Sequence, residues 1–133
     1  MDQEQSFEAA IFGLGALVNM TDPESSSRDD RKVALFQSLR QRGVKIAVCS
    51  TLDSERTNRI IDRIGLRSLV DTIVCQDDVE SDLYITASRC LLVDMEKCVI
   101  IEWIGIGEGA VRVARPGLIV MVDGPEDVTE FLL

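Results

Sequence analysis

The chain has 133 residues, of which 46% are apolar and 28% charged, a size and composition typical of one globular domain with a single core. Its net charge of −9, with no cluster of Lys and Arg, argues against a nucleic-acid or anionic-membrane partner. No apolar stretch approaches the roughly 18 residues that a membrane span needs. The polar, acidic N-terminus does not resemble a secretory signal, so we expect a cytoplasmic protein.

The sequence contains four cysteines and no histidine. Cys49, Cys75, Cys90 and Cys98 show no C-x-x-C spacing, and three of them border apolar runs. This pattern favours reduced core thiols in a reducing compartment over a zinc site or a disulfide framework. The absence of histidine excludes His-dependent catalytic triads and the usual ligand sets of zinc hydrolases.

The first predicted element is a buried strand that ends in a glycine-containing loop. The apolar run 9–12 stops at Gly13 and Gly15, as expected for a strand that leads into a tight turn. In open α/β sheets, ligands bind at the carboxyl ends of the strands. This loop is therefore the expected site of chemistry, yet it has no side chain that can attack, ligate or transfer a proton.

The rest of the chain alternates between helices and strands. Ser25, Ser26 and Ser27 are available to cap a helix over about 29–42, which Gly43 ends. A second helix begins near Ser54 and ends at Gly65 in a Schellman motif. We predict further helices over about 81–91 and 105–114, a last short helix from Gly124, and strands over 44–49, 70–75, 98–102 and 118–122. Alternation without hairpin signals indicates a parallel sheet with right-handed crossovers.

Several blocks of the sequence, in order, resemble one family. The segments 42–51, 64–74, 76–79 and 93–102 are similar to the haloacid dehalogenase (HAD) superfamily, in its phosphoglycolate phosphatase and β-phosphoglucomutase-like branch. The resemblance implies a three-layer α/β/α, Rossmann-like domain over 1–133 with a five-stranded parallel sheet. The segment 19–30 is too short to hold the family's cap domain, so a capless domain is expected.

The resemblance also locates the family's catalytic positions, and the first is altered. In the family's D-x-D-G-T motif, the first Asp attacks phosphorus and ligates magnesium, and the second acts as general acid and base. Gly13 takes the place of the nucleophile, and Gly15 matches either the second Asp or the glycine after it. A glycine offers only its backbone, so no aspartyl intermediate can form there.

The remaining motifs are retained only in part. Ser50 corresponds to the hydroxyl residue of the second motif, whereas the lysine of the third has no counterpart in 79–84. Glu102 retains one acid of the fourth motif, and Trp103 replaces the other, leaving a poor magnesium site. We therefore expect no cofactor or metal. Ser50 and Thr51 could bind an anion at a helix start, or simply cap the helix.

These features predict a catalytically inactive domain that acts by binding a protein partner or by self-association at the former active-site end. Glu102 is expected to accept hydrogen bonds from loop amides, and Trp103 either to pack or to fill the vacated pocket. The alternative is a magnesium-dependent phosphohydrolase that recruits Asp53, Asp77 or Glu102 as ligands. A truncated or decayed gene product is a third possibility. The predicted interface, if its side chains are exposed together, consists of Leu14, Leu17, Val18, Trp103, Ile104 and Ile106.

Overall fold

A single parallel sheet organises the domain. The computed structural model describes residues 7–78 and 82–129. The five strands are β1 (Ala9–Gly13), β2 (Lys45–Ser50), β3 (Thr72–Cys75), β4 (Cys98–Trp103) and β5 (Leu118–Val122), in the order β3-β2-β1-β4-β5, and every pairing is parallel. The predicted strands are confirmed, with no end shifted by more than two residues.

The central strand β1 is buried along its whole length because helices cover both faces of the sheet. Side chains alternate along a strand, so Ala10 and Phe12 pack into one core and Ala9 and Ile11 into the other. In the first core the ring of Phe12 lies 4.6 Å from that of Phe36, measured between centroids. This arrangement is the predicted three-layer α/β/α architecture.

In the described part of the chain, four α-helices connect the strands: α1 (Asp30–Gln41), α2 (Ser54–Arg63), α3 (Leu83–Leu91) and α4 (Glu108–Arg112). The first two contribute to one core, and the other two to the opposite core. For the last predicted helix, the described residues show a 3₁₀ turn, Pro125–Asp127, and residues beyond 129 lie outside the described part. The predicted start of α3 at 81 also falls outside it.

The ends of the first two helices follow local sequence signals. Gly43 and Gly65 adopt φ angles of 81° and 82°, the left-handed conformation that ends α1 and α2 as predicted. The predicted cap of α1 is wrong. Asp29, not a serine from 25–27, caps this helix, and its carboxylate accepts a hydrogen bond from the Arg31 amide at 2.9 Å. The aspartate lies immediately before the first helical turn, whereas the serines lie too early in the chain to reach it.

The connection between β1 and α1 is short and partly coiled. It contains two single 3₁₀ turns, Leu14–Ala16 and Pro23–Ser25, and no separate lid domain occupies residues 14–29. None of the four cysteines, which all lie in the described part of the chain, forms a disulfide; Cys90 is exposed, contrary to the expected core position, and the other three are buried. Across the described residues, the helices are too short and too polar to cross a bilayer.

Candidate functional site

A cleft of about 380 Å³ opens at the carboxyl ends of β1, β2 and β4, where the sequence predicts the site. Its volume falls within the range of pockets that bind small molecules. The side chains that give the cleft its apolar character are Leu14, Met20, Leu83, Trp103 and Ile106.

The carboxylate of Glu102 fills the space next to Gly13 that the side chain of any other residue would occupy. A methyl group built on Gly13 would overlap both carboxylate oxygens and the carboxyl carbon of Glu102. Strand pairing explains the proximity, because Phe12 lies opposite Ile101 in the β1–β4 ladder, one residue before each member of the pair. The glutamate therefore lies against the backbone of Gly13 and is only 4% exposed.

Two hydrogen bonds hold the Glu102 carboxylate in this position. The Tyr84 hydroxyl donates to Oε2 at 2.6 Å, and the Trp103 amide donates to Oε1 at 2.9 Å. The first distance lies in the range of O–H···O⁻ bonds to an ionised acceptor. Bonding to loop amides was predicted, but the amide that Oε1 accepts from belongs to Trp103, the last residue of β4, and Oε2 pairs with a phenol.

Helix α3 positions the tyrosine. Asp82 caps this helix, and its Oδ1 accepts hydrogen bonds from the amides of Tyr84 at 2.8 Å and Ile85 at 3.0 Å. Capping fixes the first turn, which contains Tyr84, and directs its ring towards Glu102. The segment 79–84, in which the family resemblance finds no lysine, therefore supplies a neutral donor.

Burial dominates the protonation behaviour of the site. It raises the pKa of Glu102, while the bonds from Tyr84 and Trp103 act in the opposite direction. Burial, followed by the charge of Glu102, raises the pKa of Tyr84 well above its usual value, so this residue remains a neutral donor. Burial also raises the pKa of the Cys49 thiol, which borders the cleft. Cys49 is therefore a poor nucleophile.

Ser50 points into the protein. Its hydroxyl oxygen accepts hydrogen bonds from the Thr57 hydroxyl at 2.7 Å and the Leu52 amide at 3.0 Å, and the residue is 2% exposed. Thr51 is exposed and borders the cleft. Of the two candidate anion-binding residues, Ser50 therefore ties β2 to α2, and Thr51 faces the cleft.

Trp103 is half-buried at the rim of the cleft. A methyl group built on Gly105 would overlap its indole ring, and one built on Gly15 would lie 3.0 Å from its Cβ. The two glycines therefore let the ring lie close against both loops. The indole therefore packs against these loops and lines the cleft, while its filling of the former pocket stays a prediction.

The predicted interface is wrong for three of its six residues. Leu14, Leu17 and Val18 are each 2% exposed and belong to the core that α1 and α2 cover. The amides of Leu17 and Val18 both donate to the carbonyl of Leu14, and this coil turns the three side chains to one side. Only Trp103, Ile104 and Ile106 remain at the surface.

The acids present do not fit the magnesium ion that the family resemblance implies. Asp53 caps α2 by accepting from the Arg56 amide at 2.8 Å, and Asp77 accepts from the Ser54 amide at 3.2 Å. Both side chains thus stabilise the start of α2, while Glu102 contacts Gly13. Within residues 7–78 and 82–129, no three His, Cys, Asp or Glu side chains are grouped to hold a metal.

Sequence reasoning missed the role of Tyr84. This residue is the only tyrosine in the chain, and it lies two positions after the capping aspartate of a helix that begins near the strand tips. A phenol in the first turn of such a helix is the signal that could have identified it. Met20 and Leu83, which border the cleft, had no comparable signal.

The five-stranded parallel sheet, with a cleft at its carboxyl ends, defines a Rossmann-like α/β domain. A sequence model described as haloacid dehalogenase-like hydrolase matches residues 21–102. The chain belongs to this family. The matched range begins after the Gly13–Gly15 loop and ends at Glu102. No curated protein matches the sequence significantly.

Solved structures show the same fold. A HAD-superfamily hydrolase from Ehrlichia chaffeensis aligns over 98% of both chains, with a TM-score of 0.72 and 12% identity. A β-phosphoglucomutase from Clostridium difficile aligns over 92% of this chain and 93% of its own, with a TM-score of 0.67 and 13% identity. A third solved structure is the N-terminal part of a Bacteroides fragilis protein, which contains a phosphatase domain complexed with Mg. It aligns over 96% of this chain but 39% of its own, with a TM-score of 0.69 and 18% identity.

Proposed function

We propose that this domain is a catalytically inactive HAD-like protein that acts by binding at the carboxyl end of its sheet. The observation that carries the proposal is the contact between Gly13 and Glu102. A phosphoryl group at this site would meet a glycine in place of the nucleophile and a buried carboxylate beside it. Two like-charged groups in an enclosed site repel each other, and none of the lining residues is a lysine or arginine that would offset this.

The test is a phosphatase assay with Mg²⁺ and p-nitrophenyl phosphate. We expect no turnover above the buffer rate, because no side chain can form the covalent intermediate. The Glu102→Gln variant is the matched control. A residual rate that is equal in both proteins belongs to a contaminant. A rate that the substitution abolishes would refute the proposal and favour the magnesium-dependent phosphohydrolase.

We further propose that the rim of the cleft contacts a protein partner or a second copy of the chain. Ile104 and Ile106 are 55% and 37% exposed and adjoin the half-buried Trp103. Neighbouring exposed apolar side chains mark interaction sites. The absence of disulfides among the four cysteines, all of them in the described residues, supports a reducing, cytoplasmic compartment, which counting thiols on freshly extracted protein would check.

Sedimentation velocity tests self-association. We expect concentration-dependent association at micromolar concentrations that Ile104→Ser weakens, because the substitution removes apolar contact area. Leu92→Ser is the control, since Leu92 is 86% exposed but follows α3 at the opposite end of the sheet. A protein that stays monomeric throughout would exclude a second copy and leave a different protein as the partner. Equal weakening by both variants would argue against the rim.

A further inference from the structure

We propose that the cleft binds a small organic cation, in which a primary ammonium or guanidinium group on an apolar body pairs with Glu102. The inference rests on the proposed function, since it takes the site to be a binding site. It follows from the charge of the cleft, from the burial of Glu102 and from the chemistry of the lining.

Glu102 is a buried carboxylate without a cationic partner among the residues that the structure describes. Every lysine and arginine of the chain lies within residues 7–78 and 82–129, and none of them forms an ion pair with Glu102. Buried charges are normally paired, because removing an ion from water is costly. Its hydrogen bonds come from one phenol and one amide, both neutral. A cation supplied by a ligand would provide the missing charge.

The cleft itself is anionic. Asp82 and Glu102 both line it, and no lysine or arginine does. A phosphate or carboxylate ligand would be repelled by these acids, whereas a cation would be attracted. The lining residues therefore favour a positively charged ligand over a phosphate ester.

The remaining lining favours an organic ion over a metal. Met20 and Leu83 offer apolar surface, and two aromatic residues, whose rings attract cations, also line the cleft, Trp103 and Tyr84. A hard metal ion needs several oxygen ligands in a regular arrangement. An amine with an apolar body instead uses one carboxylate, the aromatic faces and the apolar walls.

Titration with three probes of matched shape tests the inference. Phenethylamine is cationic, 2-phenylethanol is neutral and phenylacetate is anionic. Trp103 is the only tryptophan and borders the cleft, so its fluorescence reports occupancy directly, and calorimetry supplies the stoichiometry. We expect the amine to bind about tenfold more tightly than the alcohol, and the acid to bind more weakly still.

Two variants identify the group responsible. Glu102→Gln removes the charge and keeps the shape of the side chain and one acceptor oxygen, so it should reduce amine affinity to that of the alcohol. Glu96→Gln makes the same charge change at an exposed residue just before β4, at the opposite end of that strand, and should leave the preference intact. An amine that binds no better than the alcohol, or a preference that survives Glu102→Gln, would overturn the inference.

Two further outcomes separate this inference from others. Saturable displacement of the amine by Mg²⁺ would assign the site to a metal and also overturn it. Phosphate-ester hydrolysis lost in Glu102→Gln would refute the proposed function itself. Absence of both hydrolysis and amine preference would refute only the cation inference.

Discussion

Replacing Gly13 with alanine is expected to destabilise the domain by about 3 kcal/mol or more. The new methyl group overlaps the Glu102 carboxylate, and overpacking of this kind costs roughly 1–3 kcal/mol. If the carboxylate moves away, its bonds to Tyr84 and Trp103 are strained or lost, at about 1.5–3 kcal/mol for each bond to a charged group. The free energy of unfolding in urea measures the effect.

A double-mutant cycle shows whether the overlap is the cause. Glu102→Ala leaves the Tyr84 hydroxyl without its acceptor and should cost about 1–3 kcal/mol. The double variant should be more stable than the sum predicts, by about 1–3 kcal/mol, because a shortened residue 102 leaves room for the methyl group. Additive effects would show that the two residues do not compete for this space.

Gly109→Ala provides a matched control for the cycle. A methyl group built on Gly109, in α4, meets open space. Alanine has a higher helix propensity than glycine, so this variant should be unchanged or more stable by up to about 1 kcal/mol. Comparable destabilisation at Gly13 and Gly109 would mean that the loss comes from glycine replacement in general.

The second large effect is expected at Leu14, whose replacement by alanine should destabilise the domain by about 2–5 kcal/mol. Leu14 is 2% exposed and packs in the core that α1 and α2 cover, so truncation removes buried apolar contact and leaves a cavity. Ile104→Ala, at a residue that is 55% exposed, should change stability by less than about 0.5 kcal/mol. Denaturant unfolding of both variants measures the difference. Equally small effects would mean that the loop after β1 does not belong to the core.

The strands were predictable because each is a short apolar run bounded by turn residues, but their order in the sheet was not predicted. Gly43 and Gly65 were identified as helix ends because the end of a helix often needs a residue with positive φ, which glycine adopts readily. The interior position of Leu14, Leu17 and Val18 was not predicted. Their i, i+3, i+4 spacing indicates one shared face, but the sequence does not say whether that face is turned towards the core or towards solvent.

The contact between Gly13 and Glu102 was not predictable from either residue alone. The resemblance compares each position with a family residue. By that comparison Gly13 lacks the side chain of the family nucleophile, and Glu102 is one retained acid of the fourth motif. The contact depends on the register of two strands far apart in the sequence and on a side chain entering space that a missing Cβ leaves open. The role of Tyr84 depends further on the direction in which a capped helix approaches that carboxylate.

Calorimetric titration of the protein with Mg²⁺ together with inorganic phosphate tests the central claim most directly. If the Glu102 carboxylate occupies the place of the missing nucleophile and repels anions, the titration should produce no heat of stoichiometric binding. One-to-one binding of metal and phosphate that disappears in Glu102→Gln would contradict the claim, because it would make Glu102 a functional ligand of a phosphoryl site.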